Sequence, residues 1–158
     1  MNDSQPVPSA PKTAVRRGNR VLFVVIAVLS LAGVVDSLLS LQRHYAKSTT
    51  AFCDISEKFS CDIVNRSEWS TVMGIPVAAI GIAGYGLLFV LSTFRNLRSE
   101  TPNRLLIASL AGLCFALYLT YIEAYELTTW CILCLASLVL IFLISLLAVV
   151  IRLRRATA

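Results

Sequence analysis

The chain has 158 residues, of which 57% are apolar and 15% charged, and it carries a net charge of +5. Soluble domains average about 45–50% apolar and about 25% charged residues, so this composition belongs in a bilayer and excludes a soluble domain of ordinary size. The basic balance calls for no nucleic-acid partner, because membrane topology accounts for where the bases fall.

Residues 1–20 hold Pro6, Pro8, Pro11, several serines and the bases Lys12, Arg16, Arg17 and Arg20, the composition of a disordered basic tail. The first apolar stretch, Val21 to Leu41, is longer than the core of about 7–15 residues in a cleaved signal peptide and reads as a retained anchor. Three more follow, at Ile75 to Phe94, Leu105 to Ala124 and Thr129 to Ile151. Each is long enough to cross about 30 Å of hydrocarbon at about 1.5 Å per helical residue. The chain therefore reads as an all-α integral membrane protein, a four-transmembrane-helix bundle over residues 21–151 with a second basic tail at 152–158.

Bases in short loops stay in the cytoplasm. The N-terminal tail, the linker with Arg95, Arg98 and Arg104, and the tail with Arg152, Arg154 and Arg155 are basic. The long segment Gln42 to Gly74 instead balances Arg43, Lys47, Lys58 and Arg66 against Asp54, Glu57, Asp62 and Glu68, and the turn near Tyr125 has no base. Both termini are thereby placed in the cytoplasm and the long segment outside.

This topology brings Cys53 and Cys61 of the outer segment to the same membrane face as Cys131 and Cys134, leaving Cys114 alone in mid-helix as a packing residue. Trp130-Cys131-Ile132-Leu133-Cys134 puts a C-x-x-C at a helix start, with Thr128 or Thr129 as the expected N-cap. Free N–H groups and the helix dipole there favour a thiolate, so Cys131 is expected to have a depressed pKa. Cys134 lies one turn deeper, where a lipid-soluble acceptor reaches it better than a soluble protein does. Thiol–disulfide exchange moves two electrons, and quinones accept two. A mobile outer pair and an embedded pair thus form two halves of a relay. The competing reading is a non-catalytic assembly or scaffolding protein in which the loop cysteines form a structural staple and the C-x-x-C only packs.

Cys53-Asp54, Cys61, Ser67-Glu68-Trp69, Gly74-Ile75-Pro76 and the late Cys131-Ile132-Leu133-Cys134, with Tyr118-Leu119-Thr120-Tyr121-Ile122-Glu123 before it, resemble the bacterial members of the vitamin K epoxide reductase family. The resemblance implies that Cys53 receives electrons from a partner's thiols, that Cys61 passes them to Cys131, and that Cys134 faces the quinone. It also implies a short interfacial helix covering the site from within Asp62 to Met73, and a bacterial inner membrane as the location. The quinone, of the ubiquinone, menaquinone or vitamin K type, is a substrate.

Two departures shape the expected function. Leu138 stands where vertebrate members carry a tyrosine, and the chain ends at Ala158 where many bacterial relatives continue into a thioredoxin-like domain. Both favour oxidation of a separate thioredoxin-like or DsbA-like protein on the outer side over recycling of a vitamin K epoxide or quinone. The DsbB family resembles this one in mechanism but carries its C-x-x-C at the end of the first helix, against the order here.

Ser67 is expected near the cysteines, bonding a thiolate or a quinone carbonyl or else capping a turn, and Trp69 as an interfacial anchor or a wall of the quinone site. Asp36 and Glu123, ionisable groups at membrane depth, are the expected proton route, with Glu126 snorkelling to the interface. His44 has no second histidine or acidic cluster at ligand spacing, so it reads as a solvated interface residue and no metal is expected.

Overall fold

The computed structural model describes residues 12–45, 54–56, 59–94 and 101–156. Helix α1 spans Lys12–Tyr45, starting directly after the last proline of the N-terminal segment. It therefore begins inside the stretch expected as a tail, because Lys12 to Arg20 contains no further proline. A small hairpin of β1 (Asp54–Ser56) and β2 (Phe59–Ser60) leads into the short helix α2, Cys61–Arg66, and a 3₁₀ turn at Glu68–Ser70. The short helix thus starts one residue earlier than the expected segment and ends well before Met73.

The remainder of that segment is a second hairpin, β3 (Thr71–Val72) against β4 (Ile75–Pro76). Met73 and Gly74 turn it with φ of 53° and 82°, the double positive φ that a tight two-residue turn requires and that glycine adopts without strain. Met73 at its tip is 98% exposed. Helix α3 follows at Val77–Thr93, with Pro76 in the capping position where its missing N–H is harmless.

Helix α4 runs over Thr101–Ile122 and passes into a single π turn at Glu123–Leu127, which Thr128 ends in the left-handed region at φ 49°. Helix α5 spans Ile132–Ala156. Three segments, Asn19–Tyr45, Pro102–Leu127 and Ile132–Ala156, are long and apolar enough to cross a membrane, and the apolar α3 is shorter at 17 residues. The chain is an all-α membrane protein of three long apolar helices and a shorter one.

Helix α1 packs chiefly against α3 and α5, and α4 against α5. The approach of α1 to α3 depends on small residues, as is usual where apolar side chains gain nothing by leaving lipid. A Cβ at Gly33 would lie 2.4 Å from the ring of Tyr85. Phe23, Ile26, Leu88, Leu105, Ile144, Ala148 and Ile151 form an apolar plug toward the end where α1 starts and α5 finishes. Val21, Val24, Val28, Leu31, Val35 and Leu38 are exposed at helical spacing on the outside of α1, an apolar stripe suited to lipid. Hydroxyls tie helices across the interior: Ser145 Oγ donates to Ser109 O at 3.1 Å, and Tyr85 Oη to Ser137 O at 2.8 Å.

Candidate active site

At the end opposite the plug, the C-terminal part of α1, the start of α3, the π turn and the start of α5 converge under α2. Cys61 opens α2 and Cys131 immediately precedes α5; both are fully buried, and with Val64 they form a small cluster against Leu127, Leu133 and Cys134. Cys131 itself occupies the cap of α5, and the backbone N–H of Cys134 points at its Sγ at 3.5 Å. The cap is therefore the cysteine and not Thr128 or Thr129, because the π turn carries the chain past the threonines before the helix starts.

The sulfurs make an ordered chain. Cys61 hydrogen-bonds the Cys131 thiol, Cys131 hydrogen-bonds Cys134, and Cys134 hydrogen-bonds the carboxyl of Glu123. Glu123 is only 2% exposed, and its Oε2 accepts the Cys131 backbone N–H at 3.2 Å while Oε1 has no partner. The neighbouring thiol of Cys134 and burial reverse the expectation for Cys131. Its thiol, just ahead of the Ile132–Ala156 span, is pushed up by the bond to Cys134 and by burial, against an opposing bond from Cys61.

Cys134 opens onto a cavity of about 340 Å³ between the helices. Of the residues singled out from the sequence, Asp36, Ser67, Trp69, Glu123 and Cys134 all line it. Ser67 Oγ donates to Val64 O at 2.8 Å, closing the end of α2 in a capping role, and Trp69 is 48% exposed at the rim. Asp36 bonds Ser137, whose Oγ lies 2.9 Å from Tyr85 Oη.

Leu138 does not line the cavity; its neighbour Ser137 does, because the side chain three residues from Cys134 shares its helix face. Cys53 lies outside the described residues. Cys114 is exposed on the outside of α4 and packs in no core, and Glu126 is exposed at the end of its span. His44 is half-buried and not solvated: its Nδ1 donates to Asn65 O, and Ser70 Oγ lies 3.5 Å from the same nitrogen.

Asn65, Tyr85 and Ser137 are cavity residues that the sequence did not single out. Ser137 was accessible from its i+3 relation to Cys134, and Tyr85 as a hydroxyl inside an apolar stretch. Asn65 gave no signal beyond following Cys61 by one turn. The donor atoms of Glu123, Cys131 and Cys134 lie within 4.8 Å of one another, a spacing that a thiophilic cation can bridge when both thiols are reduced.

A buried dithiol, in contact with a third cysteine and opening onto an apolar cavity between apolar helices, is an arrangement suited to thiol redox chemistry in a membrane. Residues 24–149 match the sequence profile of the Vitamin K epoxide reductase family. The chain belongs to that family and is a multi-pass membrane oxidoreductase of the thiol–disulfide type, and the family uses redox cysteines and quinone.

Proposed function

We propose that the protein takes two electrons from a separate thioredoxin-like or DsbA-like thiol protein on the outer side of a bacterial inner membrane and delivers them to a membrane quinone, thereby supporting disulfide formation. The observation that carries this reading is the unbroken contact from Cys61 through Cys131 to Cys134 at the wall of the cavity. Four membrane crossings with both termini cytoplasmic put Cys53 on the side where the partner is found.

In this reading the partner's dithiol reduces the Cys53–Cys61 disulfide by exchange. Cys61 then attacks the Cys131–Cys134 disulfide at Cys131, and Cys53 resolves the mixed disulfide, restoring Cys53–Cys61 and leaving Cys131 and Cys134 reduced. Cys134 passes its proton to Glu123 and adds through sulfur to the quinone ring, forming a sulfur–carbon bond. Cys131 then attacks the Cys134 sulfur as a thiolate; the disulfide forms, the sulfur–carbon bond breaks with its electron pair left on the ring, and hydroquinone departs, completing the two-electron transfer. The two thiol protons balance the two taken up by the hydroquinone, with Glu123 serving one oxygen and Asp36 placed to serve the other. Ser67 supports α2, Trp69 closes the rim, and Leu138 backs the helix face behind Ser137.

The test uses purified protein, reduced with a mild thiol and divided among ubiquinone, menaquinone and vitamin K epoxide. Stoichiometric loss of free thiols with a quinone, and its disappearance in Cys134→Ala, is the expected result. Free thiols unchanged by every acceptor would leave the scaffolding reading in its place.

A further inference from the structure

Among the described residues, two buried side-chain atoms at the cavity lack a hydrogen-bond partner: Glu123 Oε1, beside the thiols, and Asn65 Nδ2. Asn65 is 7% exposed, and its side chain is tied to α1. Ser40 Oγ donates to its Oδ1 at 2.8 Å, and the His44 ring bonds its backbone carbonyl. With Oδ1 engaged by α1, Nδ2 is left without a protein partner on a residue that lines a largely apolar cavity. Buried amide donors are nearly always satisfied. An unsatisfied one at a cavity wall therefore asks for an acceptor supplied by the occupant.

We propose that Asn65 is a substrate-binding residue whose Nδ2 donates a hydrogen bond to one carbonyl of the quinone, turning the ring so that its other oxygen faces Glu123. The assignment rests on the quinone reading above. It fits a flat apolar ligand carrying carbonyl acceptors, since such sites use a few placed polar groups to orient an otherwise apolar molecule. The placement also joins two roles in one short helix. Cys61 and Asn65 are four residues apart on α2 and so share a face, and an occupied cavity holds α2 where Cys61 meets Cys131.

The experiment compares parent, Asn65→Asp and Asn65→Leu with a short-tailed ubiquinone and dithiothreitol as the two substrates. The aspartate keeps size and the acceptor for Ser40 but loses the donor. The expected result in both variants is a KM for the quinone raised roughly tenfold, as for one lost neutral hydrogen bond, with the KM for dithiothreitol unchanged. In a Cys131→Ser background, the Cys134 thiolate–quinone charge-transfer band should move to shorter wavelength, because a carbonyl that loses its donor is a poorer electron acceptor. Unchanged quinone KM and unchanged band overturn the assignment. So does a parallel rise in both KM values with a lowered unfolding temperature, the mark of a purely structural asparagine. Parent protein that never loses thiols to quinone instead overturns the quinone reading itself, an outcome separate from any difference among variants.

Discussion

Glu123 is the residue on which the site's chemistry turns, since it accepts the Cys131 backbone N–H and contacts Cys134. Glu123→Gln keeps an acceptor for that N–H but cannot take the thiol proton. Quinone reduction is expected to fall about 10²–10⁴-fold, the range for a positioned acid or base, with thermal unfolding little changed. Glu123→Ala also orphans the backbone donor and should cost a further 1–3 kcal/mol or so of stability. Near-parent turnover in Glu123→Gln would remove the carboxyl from the proton route. The raised Cys131 pKa sets the pH dependence. Only the thiolate attacks, so a pKa held above the usual thiol range means the reactive fraction grows about tenfold per pH unit through neutrality. Alkylation of reduced Cys131 by a small permeant reagent, followed by mass spectrometry between pH 6 and 8.5 or so, should climb without a plateau. Saturation below neutrality would restore the thiolate-stabilising helix start. The sequence made the C-x-x-C and the isolated acids visible because such residues are costly at membrane depth. It could not reveal the sign of the Cys131 shift, which depends on how deeply the fold buries the thiol and on its bond to Cys134, nor the orphan amide of Asn65, which emerges only once Ser40 has claimed the other half of the group.

At the scale of elements, the apolar stretches located three long helices and the shorter α3, because about 20 consecutive apolar residues have few other uses. Their ends were less legible. The π turn at Glu123–Leu127 has no propensity signature, yet it carries Glu123 into the interior and delays the start of α5 until Ile132; single π turns often mark functional sites. The α1–α3 contact gives the clearest test of packing. Gly33→Ala would place a methyl 2.4 Å from a ring carbon of Tyr85, forcing the ring from its bonds to Ser137 or the helices apart. Overpacking of this kind costs about 1–3 kcal/mol, and unfolding in detergent should show it together with a weakened quinone KM. Gly86→Ala is the control, because a Cβ there meets nothing within 4 Å. Equal stability of the two variants would mean that α1 and α3 do not need this close approach.

For the whole molecule, the decisive quantity is sidedness, since the relay works only if the loop cysteines and the start of α5 share one compartment. The geometry already joins Cys61 to Cys131 at the end where α1 finishes and α5 begins, so the two ends of the bundle differ in kind: one is an apolar plug, the other a polar, sulfur-rich mouth. Arg20, Arg104, Arg152, Arg154 and Arg155 lie on the helix ends at the plug end, and positive charge resists translocation. In a cysteine-free background, Glu68→Cys, at an exposed position beyond α2, should react with a membrane-impermeant maleimide added to intact cells. Asn96→Cys, between α3 and α4, should react only after permeabilisation. A second measurement ties sidedness to the relay: with Cys53 and Cys134 both replaced by alanine, oxidation should link Cys61 to Cys131 and convert two thiols to one disulfide on non-reducing peptide mapping. Labelling of Asn96→Cys from outside would invert the orientation. If only free thiols persisted in the double variant while Cys53 linked readily to Cys131, the roles of the two loop cysteines would be exchanged, because the cysteine that touches the helix mouth is the one that must hand over the electrons.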